Sequence, residues 1–94
     1  MKLDKLRNQI DSIDETMVDL IAKRFDITSA IGVIKCETGI NSSSPEREAK
    51  QFSKLEILAQ ERNLPYKLVE SIFRLIIDEV VRNHDTLKKQ DDSL

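Results

Sequence analysis

Ten positions spaced alternately by three and four residues, Leu3, Leu6, Ile10, Ile13, Met17, Leu20, Arg24, Ile27, Ile31 and Ile34, form one unbroken stripe in which only Arg24 is charged. A 3.5-residue repeat held this long is the seam of a single helix packed along other helices. It predicts helix from Leu3 to Glu37, roughly 50 Å at 1.5 Å per residue, stopped at Thr38-Gly39. A compact domain of 94 residues is shorter than that. Much of the stripe therefore needs cover from a second chain. Arg24 in such a seam faces the interior, and because unpaired burial of a guanidinium is costly, it calls for an anionic partner.

The remaining sequence supplies two further helices and no strands. Ile40 to Ser44 reads as a loop, with Ser43 or Ser44 able to cap a helix that opens on Pro45 and runs to Glu61. Ala49, Phe52, Leu55 and Ala59 give that helix a short apolar face. Asn63-Leu64-Pro65 breaks the pattern and opens a third helix, whose buried stripe is expected to be Val69, Ile72, Phe73, Ile76, Val80 and Leu87, with His84 on the same face. Periodicity is lost from Lys88 onward, so residues 88–94 are expected to fray. No internal repeat or long linker divides the chain, which reads as one all-α domain over residues 1–94.

Composition removes several function classes. The net charge is −2 without a basic block, so no nucleic-acid surface is proposed. One cysteine and one histidine offer no paired metal-ligand spacing, and no cofactor motif is present. Cys36 cannot form an internal disulfide, the opening Met1-Lys2-Leu3-Asp4 is unlike a signal peptide, and no apolar run is long enough to span a membrane. The expectation is a cytoplasmic protein with no membrane association. Cys36 reads as a small buried residue without a role.

The charged residues inside the pattern describe a binding site. Arg24 and Lys35 fall within about 20° on one helix face and roughly 16 Å apart along it, so their side chains can converge on one small anion. Arg7 is roughly 25 Å from Arg24 by the same rise, too far to share that anion within one chain. Across two antiparallel copies of the first helix it approaches the other chain's centre, giving two equivalent sites per symmetric dimer. Arg47 and Glu48 stand in the first turn of the second helix, where backbone donors also favour anions. Glu48 can accept a hydrogen bond from a substrate hydroxyl, and His84 offers a titratable donor, neutral or protonated. Without a glycine-rich phosphate loop, the set suits a small hydroxylated dicarboxylate better than a nucleotide.

Each residue also has a purely structural reading. Arg24 serves equally as a buried ion pair with a neighbouring Asp or Glu, Lys35 and Arg47 as solvated cations, and Arg7 as a surface partner of Asp4 or Asp11. Glu48 suits the helix N-terminus, and His84 a hydrogen-bonded core position.

Taken in order and spacing, Leu6-Arg7, Ile10-Asp11-Ser12-Ile13-Asp14, Leu20-Ile21-Ala22-Lys23-Arg24, Ile31-Gly32-Val33-Ile34-Lys35, Pro45-Glu46-Arg47-Glu48 and Phe73-Arg74-Leu75-Ile76-Ile77 resemble the all-helical class of chorismate mutases. The resemblance covers about Leu3 to Leu87. It implies an intertwined homodimeric helical bundle in which long first helices cross, and a cofactor-free Claisen rearrangement of chorismate to prephenate on the route to phenylalanine and tyrosine.

Carried over by position, Arg7 would be donated to the partner's site and Arg24 would bind a substrate carboxylate. Lys35 would contact the ether oxygen and a carboxylate, Arg47 would support the carboxylate cluster, and Glu48 would hold the ring hydroxyl. Ser44 stands where many relatives have aspartate, Val80 where some have serine, and His84 where glutamine or glutamate usually donates to the ether oxygen. The same resemblance extends to isochorismate-pyruvate lyases, which give salicylate, and to 4-amino-4-deoxychorismate mutases. A non-catalytic helical binding module is the reading from outside enzymology.

Overall fold

The computed structural model describes residues 1–92, with side-chain surroundings through Lys89. It contains α1 (Lys2–Thr38), α2 (Pro45–Glu61) and α3 (Tyr66–Asp92), with no strand among the described residues. Helix α1 ends as its sequence requires. Gly39 takes φ 73°, a left-handed conformation that glycine adopts without a Cβ penalty. The Gly39 N–H donates to the Lys35 carbonyl, and the Ile40 N–H donates to the same oxygen at 2.9 Å.

Ser44 occupies the N-cap of α2 with extended backbone, and Pro45 follows in the first turn. The expected side-chain cap is not made: Ser44 has no side-chain cap bond. Between α2 and α3 the chain reverses through Asn63 at φ 55°, and the Leu64 N–H returns to the Ala59 carbonyl at 2.9 Å. Asparagine is among the few side chains that tolerate this left-handed region. Helix α3 runs on through residues 88–92 of the tail expected to fray. Ser93 and Leu94 of that expected tail lie outside the described residues.

Helix α3 packs against both α1 and α2 and links them. Its buried face is set by Ile77 and His84, 6% and 5% exposed, and it meets Leu55 and Ala59 of α2. Of the expected α3 stripe, His84 is buried and Val69, Phe73, Ile76, Val80 and Leu87 are half-buried. Ile72 is 38% exposed, whereas Ile77, absent from that stripe, is core. The reason is that α3 serves two partners on a broad apolar face, so the narrowest periodic row does not mark its centre.

The long stripe of α1 is not what the chain covers. Its apolar members remain exposed, from 41% at Ile31 to 63% at Ile27. The residues turned toward α3 are instead Arg24, Phe25, Thr28, Gly32, Lys35 and Cys36, all buried or half-buried. At about 100° per residue their mean direction is rotated roughly 100° from the stripe. Each of the first twenty residues is exposed. The described chain accordingly measures 59 × 27 × 15 Å with a radius of gyration of 17.0 Å, against about 12 Å for a compact chain of this length.

Candidate functional site

One cavity of about 810 Å³ opens where the C-terminal half of α1, the α1–α2 loop, the start of α2 and the C-terminal half of α3 converge. Arg24 and Lys35 enter its wall from α1, Arg47 and Glu48 from the first turn of α2, and Val80 and His84 from α3, with Ser44 at the loop's end. The structure thus gathers seven of the eight expected site residues. Arg7, exposed and far along α1, is the one it does not bring to this cavity.

Arg24 decides between two of the readings open from sequence. Its guanidinium lies over the Phe73 ring, 5.9 Å from the centroid, and its Nη1 is buried without a hydrogen-bond partner. No ion pair to Arg24 occurs among the described residues, so the structural ion pair is not made. A buried guanidinium nitrogen left unsatisfied costs about 1–3 kcal/mol or more, which an anion entering the cavity would relieve. Lys35 reaches across the cavity, its Nζ donating to the Ser42 carbonyl at 3.4 Å. That long bond ties the loop over the site and can be exchanged for a ligand oxygen.

Glu48 is held from behind. Its Oε2 accepts from Arg74 Nη1 at 3.5 Å, and Arg74 is not part of the cavity wall. Sequence reasoning passed over Arg74 except as part of a match to the third helix; nothing local to α3 signals that it meets Glu48, 26 residues earlier. It also passed over Thr28 and Gln51, which line the cavity. Both had an available signal, since each stands four residues beyond an identified site residue, Arg24 or Arg47, and so on the same helix face.

His84 departs from expectation in a way that matters chemically. Its Nε2 lies 2.8 Å from the Thr28 carbonyl oxygen on α1. A carbonyl can only accept, so Nε2 carries the proton and donates. The remaining ring nitrogen, Nδ1, is buried without a partner. Nε2 is thereby committed to the backbone of α1, and in a neutral ring Nδ1 keeps only a lone pair.

The ring fits because Gly32 has no side chain. A Cβ there would come within 2.5 Å of His84 Cδ2 and 2.9 Å of Nε2. Gly32→Ala is expected to expel the ring from Thr28. Overpacking of about 1–3 kcal/mol outweighs the roughly 1 kcal/mol that alanine gains in helix propensity, so the unfolding midpoint should also fall. His84 is the only histidine, so its ¹⁵N spectrum reads this directly: protonation at Nε2 in the neutral native ring, and loss of that fixed tautomer in the variant. A native ring protonated at Nδ1 would refute the assignment.

Among the described residues no three histidine, cysteine or carboxylate side chains group as a metal site, and no helix is long and apolar enough to cross a membrane.

The family model described as Chorismate mutase type II matches residues 6–85. A chorismate mutase of Methanocaldococcus jannaschii is 32% identical over 89 residues, spanning 95% of this chain and 86% of that protein. The T-protein of Enterobacter agglomerans is 35% identical over 78 residues, or 83% of this chain, and the match covers 21% of that protein, about a fifth of its length. A 4-amino-4-deoxychorismate mutase of Streptomyces venezuelae is 23% identical over 90 residues, 96% of this chain and 87% of that protein.

Proposed function

The chain belongs to the chorismate mutase type II family, and from that premise we propose that it converts chorismate to prephenate as a cofactor-free homodimer in the cytoplasm. The observation that carries this reading is the buried, unpartnered Arg24 Nη1 in a cavity that also holds Lys35, Arg47 and Glu48. Three cations against the carboxylates of Glu46 and Glu48 leave the cavity net positive, which suits a hydroxylated dicarboxylate.

In this reading Arg24 and Arg47 take the carboxylates, and Glu48 accepts from the ring hydroxyl. Held at both ends, the enolpyruvyl arm is kept over the ring in a reactive conformation, which removes much of the entropic part of the barrier. The rearrangement breaks the ether C–O bond as a C–C bond forms. Negative charge that develops on the ether oxygen is met by the Lys35 ammonium, with the His84 ring in the same cavity wall. No covalent intermediate is required.

The uncovered stripe of α1 argues for the second copy. Leu3, Leu6, Ile10, Ile13, Met17, Leu20, Ile27, Ile31 and Ile34 are all about half exposed, and completing the burial of each contributes roughly 1 kcal/mol. Summed along the helix, that rivals the whole stability of a typical domain. Two antiparallel first helices would cover both stripes and carry Arg7 to the partner's cavity, adding the cation absent from its own.

Product analysis on chorismate and on isochorismate, from mildly acidic to alkaline pH, tests the assignment. Prephenate from chorismate is expected. Salicylate and pyruvate from isochorismate alone would transfer the site to lyase chemistry. Turnover confined to the 4-amino analogue would instead make the Ser44 end of the cavity the determinant, and stoichiometric binding without product would make the protein a binding module.

Substitution tests His84. The ionisable groups sharing its cavity are Arg24 and Lys35 of α1 and Glu46, Arg47 and Glu48 of α2. His84→Ala should lower kcat more than it raises KM, and His84→Gln, whose amide can donate, should retain more of the activity. An unchanged kcat in a folded His84→Ala protein would remove His84 from the charge-stabilising role.

A further inference from the structure

We propose that Arg74 is a positioning residue for Glu48, fixing one carboxylate oxygen so that the other is presented to a hydrogen-bond donor on the substrate ring. This rests on the chorismate reading of the cavity. Arg74 lies on α3 one turn before Asp78, outside the cavity wall, and three contacts define its guanidinium. The plane sits over the Phe52 ring of α2, 4.5 Å from the centroid; Nη1 lies 3.7 Å from Asp78 Oδ1 and 3.5 Å from Glu48 Oε2. An aromatic face together with a carboxylate one turn away restrains a planar cation better than either alone.

The consequence falls on Glu48. With Oε2 engaged from the α2–α3 side, Oε1 is left for the cavity, and a carboxylate accepts but does not donate. Glu48 without Arg74 would keep its charge but lose its preferred direction, and could turn toward Lys35 or Arg47 in the same cavity. Arg74 therefore selects for substrates bearing a donor on the ring while touching none of their atoms.

The effect is on binding, because the hydroxyl contact exists in both the ground state and the transition state. Arg74→Gln should raise KM for chorismate about 5-fold, the upper end for a partly exposed ion pair, with kcat changed less than about 2-fold. Arg74→Lys keeps the charge but loses the planar stack, and should recover only part of the difference. In a Glu48→Gln background Arg74→Gln should add nothing further, and for an analogue lacking the ring hydroxyl wild type and Arg74→Gln should have equal KM. An unchanged KM, or an equal loss in the Glu48→Gln background, would overturn the proposal, and matched denaturation midpoints separate it from a general loss of stability.

If wild type turns over neither substrate, the chorismate reading fails by itself. Crystal structures of wild type and Arg74→Gln then test the positioning directly: a Glu48 carboxylate that leaves its wild-type rotamer supports it, and one that stays in place refutes it.

Discussion

Lys35→Ala lowers kcat by about 100- to 1000-fold, the loss expected when one preorganised donor is removed from an oxygen that gains charge in the transition state. The size of the effect follows from position. Lys35 lies in the last turn of α1, where its side chain extends to the loop beyond the helix, and among the described residues its ammonium makes one hydrogen bond, the 3.4 Å contact to Ser42. In the proposed reaction a substrate ether oxygen would replace that carbonyl, with the ammonium in place before charge develops. There Arg24 and Arg47 would act chiefly on carboxylates that carry the same charge throughout, so their loss should weigh more on KM. Pre-steady-state turnover of chorismate under saturating conditions measures the difference. Near-normal kcat in a folded Lys35→Ala protein would remove Lys35 from the mechanism and leave orientation alone to account for the rate.

Mixing two inactive variants restores activity. In the proposed dimer Arg7→Ala would remove the cation that each chain gives to its partner, and Lys35→Ala the donor that each chain keeps for its own site. In a mixed dimer one site carries both substitutions and the other carries neither. Random pairing of equal amounts makes half the dimers mixed, so about a quarter of all sites become intact in a symmetric two-site assembly. Activity should therefore rise from the background of either parent to about 25% of wild type after co-refolding. Separate refolding followed by mixing gives the same result only as fast as the dimers exchange. The native mass should be near twice 10.8 kDa, and the unfolding midpoint should rise with protein concentration, as required when folding and association are linked. No recovery in a protein shown to be dimeric would mean that Arg7 serves its own chain or only the surface.

The helices and most of the cavity wall were legible in the sequence because both depend on near neighbours. The 3.5-residue repeat, the Gly39 stop and the Ser44-Pro45 start set α1 and α2 to within a residue or two of their observed bounds. Arg24 and Lys35 share a face by helical phase alone, and Arg47 and Glu48 are adjacent at a helix start. The misses are of another kind. Ile77 is core because α3 touches two helices at once. Ser44 stands at the cap without bonding through its side chain. Arg74 acquires its place from Phe52 and Glu48, residues on another helix.

What the sequence determined by itself was periodicity, helix limits and which charges lie on which face, since a helix of fixed pitch converts spacing into direction without reference to anything else. What only the tertiary structure decided was the rotation of α1 against α3. That rotation turns Gly32 and Thr28 toward His84, leaves the apolar stripe exposed, and commits Nε2 to a backbone carbonyl. Two helices can satisfy their patterns at several relative rotations. The absence of a Cβ at Gly32 makes room for the His84 ring, and the Thr28–His84 hydrogen bond and burial of Ile77 stabilise this one.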